Sequence, residues 1–410
     1  MININDLNYR HIHLESSFRI EQYTVNFWGV CRQWISVVYR GLWAFRFFFR
    51  KGYYNQLESC DVVFIAPTNN NLRALKPIKE KLNCQAVIFD YENLPLQKTQ
   101  FYAMLYSPVI FFFYLTHTGY MKKIYAGWFI NFCNSCGWYI EARKMLKHIK
   151  PKLLVVANDH TYPQRTFFRA AQALGIKTAY VQHASVTENF PPLEYNYAFL
   201  DGQESLDKYT ANNKVCKSKV FLYGSPRFDA IKLFNVEKTT LNHRCGIAIN
   251  SNDFPDKIIE LIGKLYQHIE PIQITLRAHP SMDEKFWKTF ADKNNCLFSN
   301  AKTENPFQFI AQNDFFIACE SSFHLDVALT GKMSFYCNFT DRPIKDHYSY
   351  LKAGLIKELS TNFEQIKHYE NNLQNRTELI QYYVANYGTP GWGESAALIA
   401  STLEELENVK

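Results

Sequence analysis

The 410-residue chain has no low-complexity tract, no repeat of short period and no concentrated block of basic residues. Solenoid, fibrous and disordered classes are excluded by the first two absences. A formal charge of +7, with basic residues spread along the chain, is too weak for a nucleic-acid surface but suits an anionic ligand or an anionic membrane. There is no HExxH, no P-loop and no DxD after a strand-like run; the nearest approaches are Asn252-Asp253 and Asn158-Asp159. Metal-independent chemistry without a bound cofactor is the expectation. Met1 to Glu15 is polar, so no secretory leader is expected. The ten cysteines include one Cys133-x-x-Cys136, which has neither a second CxxC nor a CxxH nearby. Cys84, Cys245, Cys319 and Cys337 lie in or beside apolar runs, as buried thiols do, and a reducing cytoplasm accounts for all ten.

A last absence is local. Thr99 to Met121 contains no Asp, Glu, Lys or Arg, and holds Phe111-Phe112-Phe113-Tyr114-Leu115. Its length would allow a membrane span, but Pro108 is expected to break it, and Ser107, Thr116, His117 and Thr118 dilute it. A buried helix pair and a surface touching the membrane are the other readings. The run Phe27 to Tyr54 mixes Trp28, Trp34, Trp43, Phe45, Phe47, Phe48 and Phe49 with Arg32, Arg40, Arg46, Arg50 and Lys51. That mixture suits an interfacial helix, or a core helix with snorkelling arginines.

What is present is an α/β alternation too long for one core. Apolar runs at 61–67, 86–89, 152–157, 177–181, 197–200 and 220–223 read as strands, and helical spacing separates several of them. Residues 91–150 read as mostly helical. Phe234 to Arg244 is polar and irregular, as a linker would be, and the pattern then restarts with strands at 245–250, 272–276, 314–319 and 333–337. Parallel sheets with crossover helices follow. The expected domains are 1–235, for the acceptor, 241–375, for a nucleotide donor, and a helical tail at 376–410. Two doubly wound Rossmann-like domains with strand ends facing a central cleft are the architecture of B-type glycosyltransferases (GT-B).

Candidate site residues sit where strand-like runs give out, which is where open α/β sheets bind ligands. Arg277-Ala278-His279-Pro280 follows one run; Pro280 biases His279 to an extended backbone, and Arg277 and His279 could hold a phosphate. Glu320-Ser321-Ser322 follows another and opens a helix, where serines cap and free N–H groups suit an anion. Asp159 ends the strand at 152–157, as a base or nucleophile toward an acceptor or as a loop residue capping the next helix. His183 holds the matching place one strand later. In the turn Gly224-Ser225-Pro226-Arg227-Phe228-Asp229, Arg227 either neutralises an anionic ligand or pairs with Asp229.

Val-Gln-His-Ala, Gly-Ser-Pro-Arg-Phe-Asp, Arg-Ala-His-Pro and Glu-Ser-Ser, in that order over about residues 150–356, resemble bacterial surface-polysaccharide transferases of the GT-B fold. The pattern is similar to capsule-type β-Kdo transferases and CDP-glycerol glycerophosphotransferases. Its His-Pro and Ser-Ser pair is similar to that of bacterial sialyltransferases. The resemblance implies a cytidine nucleotide donor without a metal, with His279, Ser321 and Ser322 on the donor phosphate and Asp159 on the acceptor side. Two departures, His183-Ala184 for His-Gly and Cys319-Glu320-Ser321-Ser322 for Asp-Tyr-Ser-Ser, point to a sugar donor such as CMP-Kdo. The expected protein is a cytoplasmic glycosyltransferase of capsule or lipopolysaccharide synthesis, peripheral on the inner membrane face. Its expected acceptor is a glycan or glycolipid. The alternatives are a glycerophosphotransferase and a non-catalytic polysaccharide-export module.

Overall fold

The computed structural model describes residues 3–8, 25–47, 49, 59–90, 92–94, 96–233, 243–343, 346–367 and 376–407. Most of the expected linker, 234–242, therefore lies outside the described residues. The chain divides into two compact units, one formed by Met1–Arg227 with Glu394–Lys410 and the other by Phe228–Gly393.

The first unit begins with helix α1 (Phe27–Phe45). It continues through β1 (Val62–Ala66), α2 (Asn69–Lys81), β2 (Ala86–Asp90) and three helices, α3 (Leu96–Thr116), α4 (Gly119–Gly127) and α5 (Phe129–Ile149). Then come β3 (Leu153–Val156), α6 (Gln164–Gln172), β4 (Lys177–Val181), β5 (Tyr197–Leu200), α7 (Gln203–Thr210) and β6 (Lys219–Leu222). The six strands form one parallel sheet in the order β2-β1-β3-β4-β5-β6. Every residue of β1 and β3 is buried, which explains their unbroken apolar runs: a strand covered on both faces cannot alternate.

The second unit contains β7 (Arg244–Ile249), α8 (Pro255–His268), β8 (Gln273–Ala278), α9 (Glu284–Lys293), β9 (Leu297–Phe298) and α10 (Pro306–Gln312). It goes on through β10 (Phe315–Ala318), α11 (Phe323–Leu329), β11 (Met333–Tyr336), β12 (Lys357–Glu358), α12 (Glu364–Lys367) and α13 (Thr377–Tyr383). Its sheet is also wholly parallel, in the order β12-β11-β10-β7-β8-β9. Local chemistry starts its helices. Asp283 accepts from the N–H groups of Lys285 and Phe286 at the head of α9, and Asn305 with Gln308 forms a capping box on α10.

Two expectations need correction. The tail 376–410 is not a separate body. Its last helix, α14 (Ser395–Glu407), belongs to the first unit, where Ala396, Ile399, Ala400 and Leu403 pack with Leu75 and Ile78 of α2. Glu404 accepts from the Asn83 backbone N–H at 2.5 Å. The second correction concerns Pro108, which does not break the helix: α3 runs straight through it. A proline there leaves the carbonyl four residues back without its N–H partner. The Ser107 hydroxyl takes that place, donating to the Met104 carbonyl at 2.8 Å.

Among the helices, α3 and α5 approach so closely that a Cβ on Gly137 would lie 2.0 Å from the Thr99 carbonyl oxygen. No helix among the described residues is long and apolar enough to cross a membrane.

Candidate functional site

The strand orders locate each unit's switch point, the crevice where successive connections run in opposite directions and where open sheets receive ligands. In the second unit it lies between β7 and β10, because β8 and β9 extend one way from β7 while β11 and β12 extend the other way from β10. The Asn250 side chain spans that crevice, donating to the Glu320 carbonyl at 2.9 Å, and its own N–H donates to Asp253 at 2.7 Å. Burial pushes the Asp253 carboxyl up to about 6. Glu320, Ser321 and Ser322 follow β10 directly. Ser321, rather than Ser322, caps α11: its Oγ accepts from the Phe323 N–H at 3.3 Å, while the Ser322 side chain makes no cap bond. At seven residues α11 carries only a small dipole, so side chains matter more here than the helix end.

His279 lies one strand further on, beyond β8, so β7 separates it from Ser321. At roughly 4.8 Å per strand the two exits are about 10 Å apart. The His279 N–H donates to the Ile249 carbonyl at 2.9 Å, tying this exit to β7. Pro280 then sits second in a turn closed by Met282 N–H to the His279 carbonyl, also 2.9 Å. The turn brings the Ser281 N–H to Nδ1 of His279 at 3.2 Å, with the Ser281 hydroxyl on the same nitrogen at 2.7 Å. A ring nitrogen that accepts a backbone N–H carries no proton, so the neutral ring holds its proton on Nε2. Partial burial pulls the pKa of His279 down, which favours that neutral form.

Two companions are placed differently from expectation. Strand β8 runs on to Ala278, so Arg277 is inside the sheet and buried. Its guanidinium donates to Ser299 Oγ at 2.6 Å and to the Glu304 carbonyl at 2.7 Å, and pairs with the Glu304 carboxylate at 3.5 Å. It braces the loop before α10. The Glu320 carboxyl is raised, first by burial and then by nearby Asp346, and backbone N–H groups of 346–348 bond to it. It holds that loop instead of an anion.

In the first unit the switch point lies between β1 and β3. Asn158, Asp159 and His160 follow β3. The Asn158 side chain accepts from the N–H groups of His160 at 3.1 Å and Thr161 at 2.8 Å, forming the turn. Asp159 is not open to solvent. It is buried, with one oxygen bonded to His160 Nδ1 at 2.7 Å and the other to the Tyr209 hydroxyl at 2.6 Å. Tyr209 in turn contacts the Tyr180 hydroxyl at 3.0 Å. Burial alone would raise the Asp159 carboxyl; His160, Tyr209 and Arg165 outweigh it and hold the group below its ordinary value.

His183 and Asp201 close the edge. His183 Nδ1 is buried with no hydrogen-bond partner among the described residues. Burial, then His160, lower the pKa of His183 to about 4, so it is neutral at physiological pH. Asp201, directly after β5, is raised by burial to about 7, and its Oδ1 also has no partner among the described residues. Its other oxygen meets Arg227 at 3.4 Å. Arg227 thus pairs with Asp201, and Gly224 supplies the positive φ of 72° that turns the chain toward it. Among the described residues no three His, Cys, Asp or Glu side chains group as a metal set.

Sequence reasoning missed Asp201, His160 and Tyr209. Asp201 had a usable signal, an Asp-Gly pair ending the run 197–200. Tyr209, on α7 and far from Asp159 in sequence, had none.

No protein-family model matches this chain, and no curated protein matches it. Solved structures do. UDP-GlcNAc 2-epimerase from Neisseria meningitidis, bound to UDP-GlcNAc, aligns over 84% of this chain and 100% of its own, with TM-score 0.53 and 12% identity. MnaA of S. aureus, solved with UDP, aligns over 86% and 98% with TM-score 0.51 and 11% identity. The wall teichoic acid polymerase TagF covers 93% of this chain and 97% of its own at TM-score 0.47 and 10% identity. With two all-parallel sheets, each wound in both directions from its switch point, this chain has the two-domain Rossmann-like fold of the GT-B type.

Proposed function

We propose that the protein is a glycosyltransferase taking a cytidine-nucleotide-activated sugar, CMP-Kdo or another CMP-linked acidic sugar, and a glycan acceptor. The capsule or lipopolysaccharide setting comes from the four ordered motifs. Solved proteins that share the fold include one holding UDP-GlcNAc, so the fold accommodates a nucleotide sugar. The observation that carries the reading is the fixed tautomer of His279. Its Nε2–H is an uncommitted donor on an exposed residue, at the same end of the parallel sheet as Ser321 and Ser322. A phosphate held by these donors is stabilised as it leaves.

In this reading the acceptor oxygen attacks the anomeric carbon as the bond from that carbon to the phosphate oxygen breaks. Free CMP departs with the electron pair, and the acceptor proton passes to solvent. Asp159, with both oxygens engaged, orients His160 and forms no covalent bond to the sugar. A single displacement of this kind inverts the anomeric centre.

The test is incubation with a panel of CMP-, CDP- and UDP-sugars, scored by nucleotide release. His279→Ala is expected to lower turnover about 10²-fold, the usual cost of removing one donor from a developing oxyanion. An unchanged rate would remove the phosphate grip from the argument. The same grip would accept CDP-glycerol, with attack on phosphorus; a phosphodiester product by phosphorus NMR would select that reaction instead. An export module without activity predicts no thermal stabilisation by CMP or CDP.

A further inference from the structure

Helices α1 and α3 pack side by side and antiparallel: Phe27 meets Phe111, Trp34 stacks on Phe111 at 4.4 Å, and Phe45 meets Phe101. The Trp34 indole donates to Ser107 at 2.8 Å, and a Cβ on Gly41 would lie 2.3 Å from Met104. One face of α1 is therefore consumed by its partners, with Val30, Val37, Gly41 and Ala44 buried. The opposite face is not polar. Trp28, Ile35, Tyr39 and Leu42, spaced as one helical stripe, are each 62–71% exposed. On α3, Leu105 and Phe112 are 54% and 60% exposed. Two neighbouring helices thus turn large apolar side chains outward, which a surface in contact with water alone does not favour.

Along the chain, the two stretches that contain these helices carry charges of one sign. Residues 22–57 and 93–140 contain eight Lys or Arg and no Asp or Glu, against 45 and 38 in the whole chain. The rest of the protein is left with a net charge of −1, so these two stretches carry all of its positive excess. Arg32 and Arg46 continue the α1 stripe at the same spacing, and the Arg46 guanidinium lies over the Trp43 ring at 3.7 Å.

We infer that the outer face of α1 and α3 is a docking surface for an anionic lipid bilayer, bound in the interfacial plane. Exposed Trp and Tyr beside arginines are the composition of that interface. A second copy of this chain is the weaker occupant. A two-fold contact would press one acid-free basic patch against another. No described helix can span the bilayer, so the contact is lateral.

The full chain should cosediment with phosphatidylcholine vesicles containing about a third phosphatidylglycerol, should bind pure phosphatidylcholine far less, and should release in high salt. Arg32→Gln with Arg46→Gln is expected to weaken binding about 25-fold, at about fivefold per charge. Trp28→Ser with Phe112→Ser is expected to weaken it about tenfold or more. The charge pair decides the matter should the aromatic pair fail to fold. Equal binding to neutral vesicles, no binding by the wild type, or indifference to the charge pair would overturn the inference. So would a vesicle-free dimer that dissociates on Trp28→Ser.

Discussion

Replacing Asp159 by alanine is expected to damage the first unit before it damages any chemistry. The carboxylate is buried and accepts two hydrogen bonds, from His160 at 2.7 Å and Tyr209 at 2.6 Å. Hydrogen bonds to a charged group contribute about 1.5–3 kcal/mol each, so the loss should be about 3–6 kcal/mol. At about 2–4 °C per kcal/mol for a domain of roughly 150–250 residues, the melting transition of this unit should fall by roughly 10 °C. Differential scanning calorimetry of the wild type, Asp159→Ala and Tyr209→Phe would read it, the last removing one bond and about half of that loss. The pH dependence has a definite sign. The folded carboxyl lies below its ordinary value, so its contribution is complete above about pH 4 and is lost as pH falls through the folded value. The gap between wild type and Asp159→Ala should close in strong acid. A melting shift of less than about 3 °C at neutral pH would refute the reasoning, because two charge-assisted bonds cannot be so cheap to remove.

Arg277→Leu should cost the second unit about 3–5 kcal/mol in urea unfolding, since it leaves the Glu304 carboxylate without its counter-charge and the Glu304 carbonyl without its donor, while CMP affinity of the folded protein changes less than tenfold. A selective loss of CMP affinity with unchanged stability would return Arg277 to the phosphate. Because burial lowers His183 to about 4, its ring should stay neutral from pH 8 to about 5 in an NMR titration, instead of protonating near 6.5. A titration near 6.5 that vanishes in a His183→Gln variant would contradict the burial argument.

The strands were readable because both faces of these parallel sheets are covered, so Leu153–Val156 and Phe315–Ala318 are apolar throughout. Where a strand ends was less readable. Arg277 looks like a loop cation by composition, yet pairing of Arg277 with Ala248 and Ala278 with Ile249 carries β8 two residues further than its apolar run. The two-residue strands β9 and β12 exist only because a neighbour offers an edge. At the site, the residue types and their strand-end positions were legible, but their partners were not. Nothing in Asn158-Asp159-His160 announces Tyr209, and nothing in Arg227 announces Asp201. Such pairings are made by tertiary packing between residues far apart in sequence.

The return of α14 to the first unit has a consequence for biosynthesis. Ala396, Ile399, Ala400 and Leu403 cover a face of the first sheet and α2 that is made hundreds of residues earlier. On the ribosome, that face stays uncovered while the whole of the second unit is translated. The second unit, whose residues are contiguous, can complete its core first. The half that begins the chain is thus the last to be sealed, and its exposed apolar face during that interval is where a chaperone would be needed.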